Sequence, residues 1–177
     1  MNLFICGVPR SGKTTLAKEL KKEFSDYNLI VSESIRNGFQ KMEEEHYKEW
    51  GNRNSKKRKE DFPKFLFEFL KWNTFFSKCN NIVDLALVDL NIVIENKDKD
   101  DIIVCLGFGG ISKQEIFSFV RKREKEEDYT LNMSDEDLSR VWGDISMIDK
   151  ENMELCEKYN IKYFDVINEN PRAYNFM

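Results

Sequence analysis

Apolar residues along this chain fall in short unbroken runs that alternate with longer stripes at helical spacing. Leu3–Cys6 is a continuous apolar run closed by Gly7, the pattern of a strand buried on both faces. Leu16, Ala17, Leu20 and Phe24 then recur every three or four residues and predict a helix from about Lys13 to Phe24. Asn28–Val31 reads as a second strand. Ile35, Phe39, Met42, His46, Tyr47 and Trp50 form another helical stripe, and the polar, lysine-rich Gly51–Glu60 reads as an exposed loop. Asp61-Phe62-Pro63 predicts a helix start, with Asp61 as cap and Pro63 in the first turn. From there to about Cys79 apolar residues lie nearly all round (Phe65, Leu66, Phe67, Phe69, Leu70, Trp72, Phe75, Phe76), which predicts a helix buried on more than one side.

Ile82–Val88 fits either a helix or a strand, whereas Asn91–Glu95 and Asp101–Leu106 read as strands. Ser112-Lys113-Gln114-Glu115 matches a capping box and opens a helix whose buried face is Ile116, Phe119 and Val120. Ser134-Asp135-Glu136-Asp137 opens another, with the stripe Leu138, Val141, Trp142, Ile145, Ile148, Leu155 and Tyr159. Ile161–Asp165 is the last strand. Strands alternating with helices predict an α/β fold, a parallel sheet covered on both faces. With no repeat, linker or low-complexity segment, residues 1–177 read as one domain.

Composition narrows the function classes. Hydrophobic residues make up 41% and charged residues 34%, a globular balance. A net charge of −4 supplies no overall field to gather nucleic acid. The four cysteines, Cys6, Cys79, Cys105 and Cys156, are scattered without a CxxC pair, which suits small core residues in a reducing compartment better than a disulfide frame or zinc site. No apolar run is long enough to cross a bilayer, and Met1–Cys6 lacks the charged start of a signal peptide. The expectation is a cytoplasmic protein without a membrane partner.

The sharpest signal is Gly7-Val8-Pro9-Arg10-Ser11-Gly12-Lys13-Thr14, which fits G-x-x-x-x-G-K-[ST] without a mismatch and lies between a predicted strand and a predicted helix. Each part has a task. The glycines let the backbone bend so that successive N–H groups surround anionic oxygens. The following helix offers its positive dipole end. Lys13 brings a mobile cation to the β- and γ-phosphates, and the Thr14 hydroxyl is a ligand for Mg²⁺. Arg10, Ser11 and Thr15 complete the candidate nucleotide-binding set. The expected ligand is a purine nucleoside triphosphate, ATP with Mg²⁺.

The loop, with Pro9 at its third position, resembles that of the nucleoside-monophosphate and small-molecule kinases, the adenylate-kinase-like group. Val31-Ser32-Glu33-Ser34-Ile35-Arg36 is similar to their segment after the second strand, where the phosphate acceptor is met. Phe119-Val120-Arg121-Lys122-Arg123 is similar to the basic start of their lid. The resemblance implies a three-layer P-loop NTPase fold, with a five-stranded parallel sheet of order 2-3-1-4-5, a short helical lid at about 112–133, and an active site at the carboxyl ends of the strands. It also implies a phosphotransferase acting on a small molecule or nucleotide. On that basis Glu33 is the candidate for the acceptor-side base or for orienting the acceptor hydroxyl, Arg36 would clamp an anionic acceptor, and Arg121 and Arg123 would bring charge to the transition state. Glu95, ending the third predicted strand, would assist Mg²⁺. The sequence departs from the group in reading Ser-Glu-Ser in the acceptor segment and in placing a glutamate, not an aspartate, at position 95.

Other features carry less. Asn96-Lys97-Asp98-Lys99 lacks the carboxylate that would read guanine, and Gly107-Phe108-Gly109-Gly110 has the wrong spacing for a dinucleotide fingerprint. His46, the only histidine, lies on an apolar stripe and reads as a packed residue. Lys56–Lys59 reads as a solvated loop, the one hint of a nucleic-acid end kinase. The aromatics of Phe62–Phe76 read as core, with an acceptor pocket or a homodimer face as the other readings. A nucleotide-binding ATPase or regulatory module without a small acceptor is the alternative to a kinase. Lys13→Ala is expected to abolish phosphoryl transfer while circular dichroism stays unchanged.

Overall fold

The computed structural model describes residues 1–43, 55–86, 88–122, 133–174 and 176, and for Asp135, Leu138 and Ser139 the backbone only. Its elements run β1 (Asn2–Gly7), α1 (Lys13–Glu23), β2 (Asn28–Val31), α2 (Ser32–Met42), α3 (Phe62–Ser77), β3 (Asn81–Asp84), α4 (Leu90–Asn96), β4 (Ile102–Gly107), α5 (Lys113–Arg121), α6 (Asp135–Tyr159) and β5 (Lys162–Asp165). The five strands form one sheet of order β2-β3-β1-β4-β5, with β3 parallel to both β1 and β2. Together with the Gly7–Thr14 motif and the helices around the sheet, this is the P-loop NTPase fold, as the sequence led us to expect.

Packing groups the described residues into two compact units, Met1–Cys6 with Lys13–Val104, and Gly7–Gly12 with Cys105–Met177. In the first, an asparagine network pins the start of the sheet. Asn2, Asn81 and Asn28 each open a strand and stand in one register row. Asn81 is fully buried; its amide donates to Asn2 Oδ1 (2.8 Å) and Thr74 Oγ1 (2.8 Å), and its carbonyl accepts from Asn73 (2.8 Å) and Asn28 (3.3 Å). Asp101 accepts from the Asn2 backbone (2.6 Å) and the Asp98 backbone (3.0 Å). A buried amide with all its groups paired fixes register as an aliphatic residue could not. Leu16, Ala17 and Leu20 of α1 and Leu66 and Leu70 of α3 supply the apolar core with Phe4, Ile5, Ile82 and Val83.

In the second unit Val8, Phe108, Ile116, Val120, Trp142 and Ile145 form one buried cluster. The capping box of α5 is present in full: Ser112 Oγ accepts from the Glu115 backbone while the Glu115 carboxylate accepts from the Ser112 backbone (3.0 Å). The Ser112 hydroxyl also donates to the Glu115 carboxylate (2.7 Å), and that bond, then the one from the Ser112 backbone, holds the Glu115 carboxyl below its ordinary pKa. Ser134 caps α6, and Asn160 ends it in the left-handed conformation.

Four expectations are corrected. Asn91–Glu95 is helix α4, not a strand; the third strand is Asn81–Asp84, within a region of ambiguous pattern. Asp61 does not cap α3: its backbone is already helical, because Lys57–Asp61 forms a π-helical turn running into α3, where part of a loop was expected. Lys57 there pairs with Glu43 (2.8 Å) and Asp61 (3.7 Å). Trp72, Phe75 and Phe76 of α3 are 54%, 59% and 75% exposed, so this helix is not buried on several sides. Tyr159 is half exposed, and the inner face of α6 instead carries Asp149, Asn152 and Cys156. His46, Tyr47 and Trp50 lie outside the described residues.

Asn81→Ala leaves several buried polar groups unpaired and is expected to cost about 2–4 kcal/mol in urea unfolding.

Candidate phosphate-binding site

The loop after β1 is built by backbone constraints before side chains matter. Gly7 has φ +128°, and a Cβ there would overlap the Leu106 carbonyl oxygen of β4. The Val8 amide donates to that same carbonyl (3.1 Å), and the Val8 side chain is fully buried in the second core. Ser11 closes the turn: its hydroxyl donates to the Val8 carbonyl (2.8 Å), so it is committed to the loop itself. Arg10 takes φ +68°, an uncommon conformation for a residue with a side chain. Gly12 has φ +90°, and the space where its Cβ would stand is open. Residues in left-handed conformation alternating with ordinary ones turn backbone amides to one side, the geometry of an anion nest. Helix α1 then begins at Lys13, whose side chain is buried.

One residue beyond the lysine, the Thr14 hydroxyl donates to Asp84 Oδ2 at 2.7 Å. Asp84 is the last residue of β3, level with Ile5 of β1 and Val31 of β2, and only 3% exposed. Its other oxygen, Oδ1, is buried without a hydrogen-bond partner among the described residues. A buried carboxylate oxygen left unpaired costs stability unless something of positive charge completes it. A hydroxyl and a carboxylate are hard oxygen donors, and the pair fits Mg²⁺.

The sequence missed Asp84. The available signal was Ile82-Val83-Asp84, a short buried run ended by aspartate and preceded by asparagines. Glu95, expected at a strand end, is an exposed residue of helix α4, and so does not meet the premise on which it was assigned to the metal.

The acceptor candidates lie one strand over. Ser32, the first residue of α2, is buried; its hydroxyl accepts from the Ala86 amide (2.9 Å), tying the end of β2 to the segment after β3. Glu33 lies in the first turn of α2, 57% exposed on its side chain, 3.7 Å from Arg36. The Arg36 guanidinium also donates to Asn37 (2.6 Å) and Gln40 (3.4 Å), while its Nε is buried without a hydrogen-bond partner among the described residues. Arg121 ends α5 with its guanidinium over the Phe117 ring, 5.3 Å from the centroid. Arg123 lies outside the described residues, as does most of the expected lid beyond α5. Thr15 is exposed on α1.

A second feature was not legible in the sequence. Asp149 of α6 is fully buried; Oδ2 accepts from the Phe108 amide (3.0 Å) and the Gly110 amide (3.1 Å), and Oδ1 accepts from the Tyr163 hydroxyl (2.7 Å). Tyr163 in turn accepts from the Gly109 amide (2.9 Å). Burial, then the bond to Asp149, pushes the Tyr163 phenol far above its ordinary pKa, so it stays a donor. A Cβ on Gly107 would overlap both Asp149 and Tyr163, while Gly109 and Gly110 take φ +69° and +70° and a Cβ on Gly109 would overlap Asp165. Their task is to let a carboxylate and a phenol clamp the chain just past the Leu106 carbonyl that holds Val8.

The sequence model of the family described as chromatin associated protein KTI12 matches residues 1–63. Among solved structures, deoxyadenosine kinase from M. mycoides with products dCMP and a flexible dCDP bound is 17% identical, with a TM-score of 0.49, covering 96% of this chain and 92% of that one. The same enzyme with bound dATP is 18% identical, TM-score 0.47, covering 97% and 94%. No curated protein sequence matches the chain.

Substitution separates the two glycines of the loop. Gly7→Ala is expected to destabilise the protein by about 3 kcal/mol or more, because the Cβ meets backbone. Gly12→Ala costs only about 1–2 kcal/mol of backbone strain, yet puts a methyl group into the open face and removes nucleotide binding. Thermal melts and nucleotide titration of both variants check this.

Proposed function

We propose that this protein is an ATP-dependent phosphotransferase acting on a small molecule or nucleotide. The observation that carries the reading is the 2.7 Å contact between Thr14 of the phosphate loop and the strand-end carboxylate Asp84, whose second oxygen is buried and unpaired. Phosphoryl transfer asks a protein chiefly for positioning and charge neutralisation. The loop amides and the α1 dipole bind the triphosphate, and Lys13 neutralises its β- and γ-phosphates. Thr14 and Asp84 would hold Mg²⁺, which when bound screens the phosphate oxygens. Ser11 and Val8 keep the nest in shape.

Arg36 holds an anionic acceptor, and Glu33 orients or deprotonates its hydroxyl. The support is positional: Val31 is the register neighbour of Asp84, so α2 leaves the sheet beside the metal pair. Arg121 and Arg123 follow the developing charge from the lid. We place the protein in the cytoplasm on its scattered cysteines, which form no CxxC pair.

A nucleotide-binding ATPase or regulatory module is the second reading. It is favoured by the match of residues 1–63 to a family described by chromatin association, not by kinase activity.

The test is a screen of nucleosides, nucleotides and sugar acids with γ-labelled ATP. The expected result is label transfer to one acceptor class, reduced about 100-fold or more in Asp84→Asn. ATP hydrolysis that no acceptor alters would select the second reading.

A further inference from the structure

Helix α3 turns a patterned face to solvent. Lys64, Phe65, Glu68, Lys71, Trp72, Phe75 and Phe76 are all exposed. Glu68 and Phe75 stand seven apart in one column, and Lys64 and Lys71 in the next. Trp72 and Phe76 stack at 5.8 Å between centroids, and both pack edge-on against Phe75. The Lys78 ammonium sits 5.3 Å from the Phe75 centroid. An aromatic surface of this size is costly to leave in water.

We propose that this face is a homodimer interface in which α3 packs antiparallel against α3 of a second copy. Two-fold antiparallel pairing sets each position of one column against the neighbouring column of the other helix. Glu68 then faces the Lys71 position, and Phe75 faces the Lys64 position. One ion pair and one cation–π contact arise, each twice by symmetry. Parallel pairing would set Glu68 against Glu68 and Lys71 against Lys71, so the charges select one orientation. Trp72 and Phe76 bury alongside and supply most of the attraction. Glu68, set between Lys64 and Lys71, weighs against a nucleic acid as occupant, which would meet its carboxylate as well as the lysines. The inference does not depend on the phosphotransferase reading.

Sedimentation equilibrium on the full chain tests it, with circular dichroism as a check on folding. The expected result is a monomer–dimer equilibrium. Glu68→Lys or Lys71→Glu alone weakens it by about tenfold or more, and the double variant Glu68→Lys/Lys71→Glu restores it. Trp72→Ala weakens it by at least about tenfold without affecting charge. A wild-type chain that stays monomeric at high concentration overturns the proposal. So does a double swap no better than the singles, or a monomer that binds a single-stranded oligonucleotide through Trp72.

Discussion

A hydroxyl and a carboxylate that meet only when the chain is folded hold this account together. Thr14 belongs to the first turn after the phosphate loop and Asp84 to the end of a strand seventy residues later, yet they lie within hydrogen-bond distance. Their meeting requires β3 to lie beside β1 in one register, and that register is set at the other end of the strands by Asn2, Asn28 and Asn81. The polar network at the base of the sheet and the polar pair at its tip are thus two ends of one alignment. A one-residue slip would turn Asp84 to the opposite face of the sheet.

The loop itself is constrained from the other side. Gly7 must be glycine because the Leu106 carbonyl occupies the place of its Cβ, and Val8 is drawn into a core made by α5 and α6. The chain just after Leu106 is clamped by Asp149 and Tyr163 through three backbone amides. Buried polar groups that are fully paired rigidify what they touch. A nest of amides is useful for binding anions only if it does not have to be reorganised on binding.

Much of this was legible in the sequence, for identifiable reasons. The strand–loop–helix unit at the N-terminus combines a motif without mismatch with unambiguous apolar periods. β2, β4, β5, the Ser112–Glu115 capping box and the Ser134 helix start carry equally local signals. What escaped was non-local. Asn91–Glu95 has the composition of a strand, but in the fold it is a short helix burying Leu90 and Val93, and the strand is the more polar Asn81–Asp84. Asp84 and Asp149 look like ordinary acids until their partners, 70 and 14 to 41 residues away, are in place. The aromatics of α3 misled because composition alone does not tell a core face from an outward one.

The central proposal is that this chain binds a metal-bound polyphosphate. Isothermal titration calorimetry of the folded wild-type chain with ATP, in the presence and absence of Mg²⁺, addresses it most directly. The account predicts saturable one-to-one binding that tightens when Mg²⁺ is supplied. Absence of binding heat with Mg²⁺ present, or an affinity indifferent to the metal, would contradict it.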